Sequence, residues 1–196
     1  MDHPGSEEEL FLKSSQGPQE NKYVRVTKEI WVLALLVNTV LFVTFLVFPG
    51  VLLATKLDML SGLGGQETAW FYLIMLTIFN IFDTLARSVA PKLQIFTAST
   101  VWIPVLFRLI FIFTSFMIAW EQSPAWLFQA DWFRIVNMAL FAFTNGYAAT
   151  LCMCYGPQLV DNKDKELAGF IMSVNLVGGI FLGSLVATFG ISRVTP

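Results

Sequence analysis

IWVLALLVNTVLFVTFLVFPGVLLAT, residues 30–55, contains no charged side chain. A helix rising ~1.5 Å per residue needs about 20 apolar residues to cross a ~30 Å hydrocarbon core, and this stretch is long enough. The bilayer interior has no water to satisfy backbone polar groups, so such a segment must be helical; it is also too long for a barrel strand and lacks the strand alternation. Four more stretches satisfy the same criterion: roughly 69–90, 95–120, 132–155 and 168–191. The expectation is an all-α, polytopic bundle of five spans. A transmembrane domain over 29–192 would follow a disordered polar tail over 1–28 and precede a short tail over 193–196.

Composition agrees with that reading. Hydrophobic residues make up 56% of the chain and charged residues 13%, against roughly 25% charged in an ordinary soluble domain; the mean hydropathy is +0.66. Twelve Lys and Arg against 14 Asp and Glu leave no basic footprint for nucleic acid. The first residues, with Asp2, Glu7, Glu8, Glu9 and Glu20, are too polar to fold alone and too acidic for a signal peptide. His3 is the single histidine, and Cys152 and Cys154 are two apart in an apolar run, where a helix turns them away from each other. No metal site, cofactor site or phosphate loop is expected, and no enzyme chemistry.

The connections carry turn and charge signals: the glycine-rich Lys56–Thr68, Pro91 with Lys92, Glu121–Asp131 with Pro124, and Gly156–Leu167. Trp70, Trp102, Trp120, Trp126 and Trp132 fall near proposed span ends, where indole favours the headgroup layer. A cytoplasmic N-terminus puts Lys13, Lys22, Arg25, Lys28, Arg87, Lys92, Lys163 and Lys165 on that side and only Lys56, Arg134 and Arg193 on the other. The positive-inside rule favours this orientation, which places the C-terminus on the opposite face.

Charges inside the spans are the candidate functional residues. Asp83 and Arg87 are four apart, so a helix presents both on one face. Asp83 lies near the midplane, where a short carboxylate cannot snorkel to water and must face a bundle interior or a wet cavity. Asn80, with Thr77 and Thr84 nearby, extends the polar stripe, which suits a hydroxyl-rich ligand. An interhelical clamp of Asp83 with Arg87 or Arg108 is the structural alternative. Arg108 reaches a similar depth in the third expected span, and Asn137, Thr144 and Asn145, followed by Gly146, lie in the fourth; these residues read as pathway lining or helix packing. Gly179, Gly183 and Ala187 recur every fourth residue and read as a strip for close helix contact. Pro49 with Gly50, and Pro104, are expected to kink or end helical turns.

Phe79-Asn80-Ile81-Phe82-Asp83-Thr84-Leu85-Ala86-Arg87 resembles the eighth-helix signature of equilibrative nucleoside transporters, Phe-Asn-Xaa-Phe-Asp-Xaa-Xaa-Gly-Arg. Phe48-Pro49-Gly50-Val51 resembles their seventh-helix Phe-Pro segment. Phe143-Thr144-Asn145-Gly146-Tyr147, with Leu151, Met153, Gly156 and Pro157, resembles their tenth-helix stretch, and Glu166, Ala168, Gly169 and Met172 the start of the eleventh. Ala86 replaces the motif's glycine, and Phe113 stands where many members have a proline after the ninth-helix arginine, here Arg108.

The resemblance implies helices seven to eleven of an 11-helix carrier related to the major-facilitator architecture, that is, half of such a transporter. The first six helices would be its missing partner. It implies facilitated diffusion of nucleosides by alternating access, with Asp83 and Arg87 contacting ribose hydroxyls and Asn80 beside them, in contact with lipid of either the plasma membrane or an endomembrane. Two other readings stay open. Asp83 could couple transport of a nucleoside or nucleobase to protons, or the chain could be a non-transporting membrane fragment that packs against a carrier through the Gly179, Gly183 and Ala187 strip.

Overall fold

The computed structural model describes residues 21–48, 67–119 and 126–194, and every regular element among them is helical. Helix α1 spans Lys22–Val47, α2 Glu67–Val89, α3 Trp102–Phe107, α4 Leu109–Ala119, α5 Trp126–Gln129, α6 Asp131–Tyr155 and α7 Lys165–Val194. Short 3-10 turns at Gly156–Gln158 and Asn162–Asp164 join the last two. The chain is an integral membrane helical bundle. Among the described residues, four helical segments are long and apolar enough to cross a bilayer: Lys22–Val47, Ala69–Val89, Asp131–Gln158 and Asn162–Phe189.

Two boundaries differ from expectation. Helix α1 begins at Lys22, so residues 22–28 are its first turns and not the end of a polar tail. The cause is local capping plus a distant charge. Asn21 accepts the Tyr23 backbone N–H at 3.1 Å, meeting one of the unpaired donors of a helix start. Lys22 Nζ lies 3.0 Å from Asp164 Oδ1, and Arg25 donates to Oδ2 of the same buried carboxylate. Apolarity marks the part of a helix that lipid can hold, not the part that folds. At its other end α1 stops at Val47, and Phe48, which precedes Pro49, is extended (φ −103°, ψ 111°), as steric exclusion before proline favours. Residues 49–55, including Pro49 and Gly50, and Lys56 lie outside the described residues, as do residues 1–20.

The second difference is the third expected span. Residues 95–101 are not a helix, and the apolar helix that follows is shorter than the other spans and is divided at Arg108. Tyrosines of α6 hold the intervening backbone: Tyr147 Oη donates to Leu93 O at 2.6 Å and accepts from Ile95 N at 3.1 Å, and Tyr155 Oη donates to Phe96 O at 2.6 Å. Once these groups are committed to side chains, they are withdrawn from a helical ladder. Pro104 then falls in the first turn of α3, where an N–H has no partner within the helix, so it opens this helix and does not kink it. The interruption comes four residues later, where Arg108 N–H reaches back only three residues to Val105 O, at 3.2 Å.

Helix α1 packs along α7, α2 packs along α6, and contact between α1 and α6 joins the two pairs. The glycine strip explains the first pairing. A Cβ at Gly179 would lie 2.3 Å from Asn38 O, and one at Gly183 2.6 Å from Phe42 O, so both positions let backbones touch. Ala187 is buried on the same strip. The surface through which a non-transporting fragment would have docked on a carrier is therefore already covered by α1. Ala86, in place of the motif's glycine, is fully buried and its methyl is accommodated in the core. Large apolar side chains point outward instead, among them Leu35, Leu73, Phe116, Phe170 and Phe181, as a lipid-facing surface requires.

Gly183→Leu is expected to lower the thermal stability of the protein in detergent by about 1–3 kcal/mol through overpacking. Gly169→Ala, where an added Cβ meets nothing within 4 Å, should leave it unchanged or slightly raised. Fluorescence-detected melting of the two variants checks this; equal midpoints would refute the α1–α7 contact.

Candidate functional site

Helical spacing puts Arg87 one turn after Asp83 on α2, and the side chains meet: Arg87 Nε donates to Asp83 Oδ2 at 2.7 Å, with Nη2 3.5 Å from Oδ1. The carboxylate is 14% exposed and the guanidinium 44%. The pair thus sits at the edge of the bundle, partly covered from one side.

That side is α6. Gly146 lies so near α2 that a Cβ there would be 2.3 Å from Asp83 backbone O. This close crossing brings Asn145, the preceding residue, against the carboxylate, and its Nδ2 donates to Asp83 Oδ1 at 2.7 Å. Each carboxylate oxygen thereby receives one strong donor. Since a carboxylate has roughly four acceptor sites, capacity for further donors remains.

Behind Asn145 lies Arg108, wholly buried at the α3–α4 break. Its Nη1 donates to Phe141 O at 2.9 Å and to Thr144 Oγ1 at 2.8 Å; its Nη2 donates to Thr44 Oγ1 at 2.7 Å and to Asn145 Oδ1 at 3.3 Å. The guanidinium carbon stands 4.8 Å from the centre of the Phe141 ring, a cation–π distance. Nε has no hydrogen-bond partner among the described residues. A buried charge is tolerated when its hydrogen-bonding groups are met, and here four oxygens from α1 and α6 surround it. Among the described residues, the hydrogen-bonded link from Arg108 to Asp83 runs through the Asn145 amide.

The remaining sequence candidates are placed as follows. Asn137 accepts from Thr114 Oγ1 at 3.1 Å, tying α6 to α4. Thr144 returns its own hydroxyl proton toward Leu140 O or Phe141 O. Asn80 and Thr77 are exposed on α2, their side chains bonded to carbonyls four residues back, Leu76 O at 2.8 Å and Thr77 to Leu73 O at 2.7 Å. Ser88 does the same to Thr84 O at 2.9 Å. Thr77, Asn80, Thr84 and Ser88 therefore form an uncovered polar edge beside Asp83 and Arg87. Thr44 was not a sequence candidate. A hydroxyl in a long apolar span is too common to single out, and only its place 2.6 Å from Asn145 Oδ1 reveals its part.

Chemically, the arrangement offers a carboxylate acceptor next to a guanidinium donor on a helix face not covered by the described residues, with neutral hydroxyl and amide groups along the same edge. It holds no nucleophile paired with a base. It is suited to gripping a polar, hydroxyl-bearing solute without altering it.

Residues 3–190 match a family model described as nucleoside transporter. The chain is 33% identical over 190 residues to equilibrative nucleoside transporter 1 of Homo sapiens, covering 92% of this chain and 41% of that protein. It is 36% identical over 168 residues to equilibrative nucleoside transporter 1 of Rattus norvegicus, covering 83% and 36%. It is 29% identical over 191 residues to adenosine transporter 1 of Crithidia fasciculata, covering 90% and 36%. The chain thus spans about two fifths of the length of these relatives.

Proposed function

The chain belongs to the nucleoside transporter family, and from that premise we propose that it supplies the C-terminal half of a carrier that moves nucleosides down their gradient. The observation that carries the reading is the Asp83–Arg87 pair, 2.7 Å apart on the uncovered face of α2. An ion pair turned toward acyl chains would be costly, so that face needs a wet pathway beside it. A second helical half, which the relatives' greater length leaves room for, would close the other wall of the pathway.

In this mechanism the Asp83 carboxylate accepts hydrogen bonds from ribose hydroxyls and Arg87 donates them, with Asn80 next along the edge. The solute binds near mid-membrane, and the two halves rock about it so that the site opens to each side in turn. No bond in the solute is made or broken. The N-terminus lies in the cytoplasm and the C-terminus on the opposite face, which the distribution of Lys and Arg supports.

The test is complementation. Expressed alone in transporter-deficient cells, the chain should give no saturable uptake of labelled uridine or adenosine. Co-expressed with the first six helices of a related carrier, it should give saturable uptake that a protonophore does not change. Absence of uptake in the complemented cells, with both halves present at the membrane, would refute the reading.

A further inference from the structure

The geometry points to Asn145 as a positioning residue for the binding pair, its amide held in one orientation by Arg108 so that Asp83 is presented to the solute in a set geometry. This deepens the proposed function and rests on Asp83 and Arg87 being the nucleoside contacts.

An asparagine amide has a donor end and an acceptor end of nearly equal shape, and its neighbours decide which way round it sits. Arg108 carries donors only, and its Nη2 lies 3.3 Å from Asn145 Oδ1. Thr44 Oγ1, 2.7 Å from the same Nη2, accepts that bond and has its own proton to share between Val40 O at 2.8 Å and Asn145 Oδ1 at 2.6 Å. The end of the amide facing Arg108 must be the oxygen. The nitrogen is thereby turned to Asp83 Oδ1 at 2.7 Å, while Oδ2 takes Arg87 Nε at 2.7 Å. A cation that never touches the solute thus determines that the carboxylate meets a donor from α6.

Two rotatable bonds let an aspartate swing, and on an uncovered helix face Arg87 alone would not prevent it. Bonds from two different helices remove that freedom before the solute arrives, which favours binding by preorganisation. The charged groups on the amide are Asp83 on α2, itself paired with Arg87, and Arg108 at the α3–α4 break, itself bonded to Thr144 on α6; α1 contributes the Thr44 hydroxyl.

Asn145→Asp keeps the shape but makes both ends acceptors. One oxygen remains satisfied by Arg108 and Thr44, whereas the other meets Asp83 Oδ1 oxygen to oxygen, a contact that requires a shared proton. Protonation supplies the missing donor, so function returns as the pH falls. Asn145→Leu cannot supply one at any pH.

The experiment measures uridine uptake against concentration in the complete carrier, at about pH 7.4 and about pH 5.5, relative to the unmodified carrier at each pH and to the amount at the cell surface. Asn145→Leu is expected to raise KM about tenfold or more at both values, the loss of one charge-assisted hydrogen bond. Asn145→Asp should show the same rise at the higher pH and recover most of it at the lower. Unchanged KM in both variants while Asp83→Ala abolishes uptake would overturn the positioning role and leave the binding pair intact. Unchanged uptake in Asp83→Ala would overturn the reading beneath it. Loss of Asn145→Asp from the surface at both pH values would make Asn145 a folding residue and also overturn the proposal.

Discussion

Asp83→Ala in a complete carrier is expected to reduce nucleoside uptake by a hundredfold or more, at unchanged surface level. The carboxylate is the acceptor that the solute hydroxyls would use, and a hydrogen bond to a charged group contributes about 1.5–3 kcal/mol; two such bonds lost correspond to roughly a hundredfold or more in affinity. The substitution also leaves Arg87 Nε and Asn145 Nδ2 without the acceptor that each now has. The fold should survive, because Asp83 is at the edge of the bundle and the α2–α6 contact rests on Gly146 and the apolar residues around it. Asp83→Asn, which keeps the shape and loses the charge, should fall between the two. The assay is initial uptake of labelled uridine normalised to surface-labelled protein, and a rate within twofold of the unmodified carrier would remove Asp83 from the binding site.

Gly146→Ala should also impair the carrier, by about tenfold or more in KM, although it removes no polar atom. The added methyl would lie 2.3 Å from the backbone oxygen of Asp83 and 3.0 Å from its Oδ1. That backbone oxygen belongs to a helix, so it cannot rotate out of the way as a long side chain could. The helices must separate by about 1 Å to reach ordinary contact distance, and the 2.7 Å bond from Asn145 to Asp83 cannot survive a shift of that size. The expected result is a loss of about 1–3 kcal/mol in stability together with at least a tenfold rise in KM for uridine. Melting of the purified carrier and concentration-dependent uptake check both parts. A variant with native melting and native KM would mean that α2 and α6 do not cross at this residue.

Comparison with the glycine strip of α7 is instructive, because both sets of glycines are visible as small residues in apolar runs and neither reveals its partner. The four-residue spacing of Gly179 and Gly183 suffices to predict a close helix contact; that the contact is with α1, at Asn38 and Phe42, depends on how the whole bundle closes. Gly146 has no such repeat. Its importance becomes visible only when α2 is laid beside it.

The helix of the third expected span begins later than hydropathy suggests for a related reason. Hydropathy measures what lipid will accept, and residues 95–101 are apolar enough to be accepted. Backbone groups choose the partners they can reach, however, and Tyr147 and Tyr155 from another helix reach Leu93, Ile95 and Phe96 first.

From the sequence alone came the helical membrane class and the pairing of Asp83 with Arg87, since both follow from short-range physics: the absence of water in the hydrocarbon layer and the 3.6-residue turn. The tertiary structure alone decided that Arg108 is enclosed and hydrogen-bonded to Asn145, that Thr44 completes its shell, and that Gly146 brings the amide to the carboxylate. These partners are 37 to 64 residues apart in the chain. A hydrogen bond extends only about 3 Å, so such partners are selected by helix crossings that no local pattern encodes.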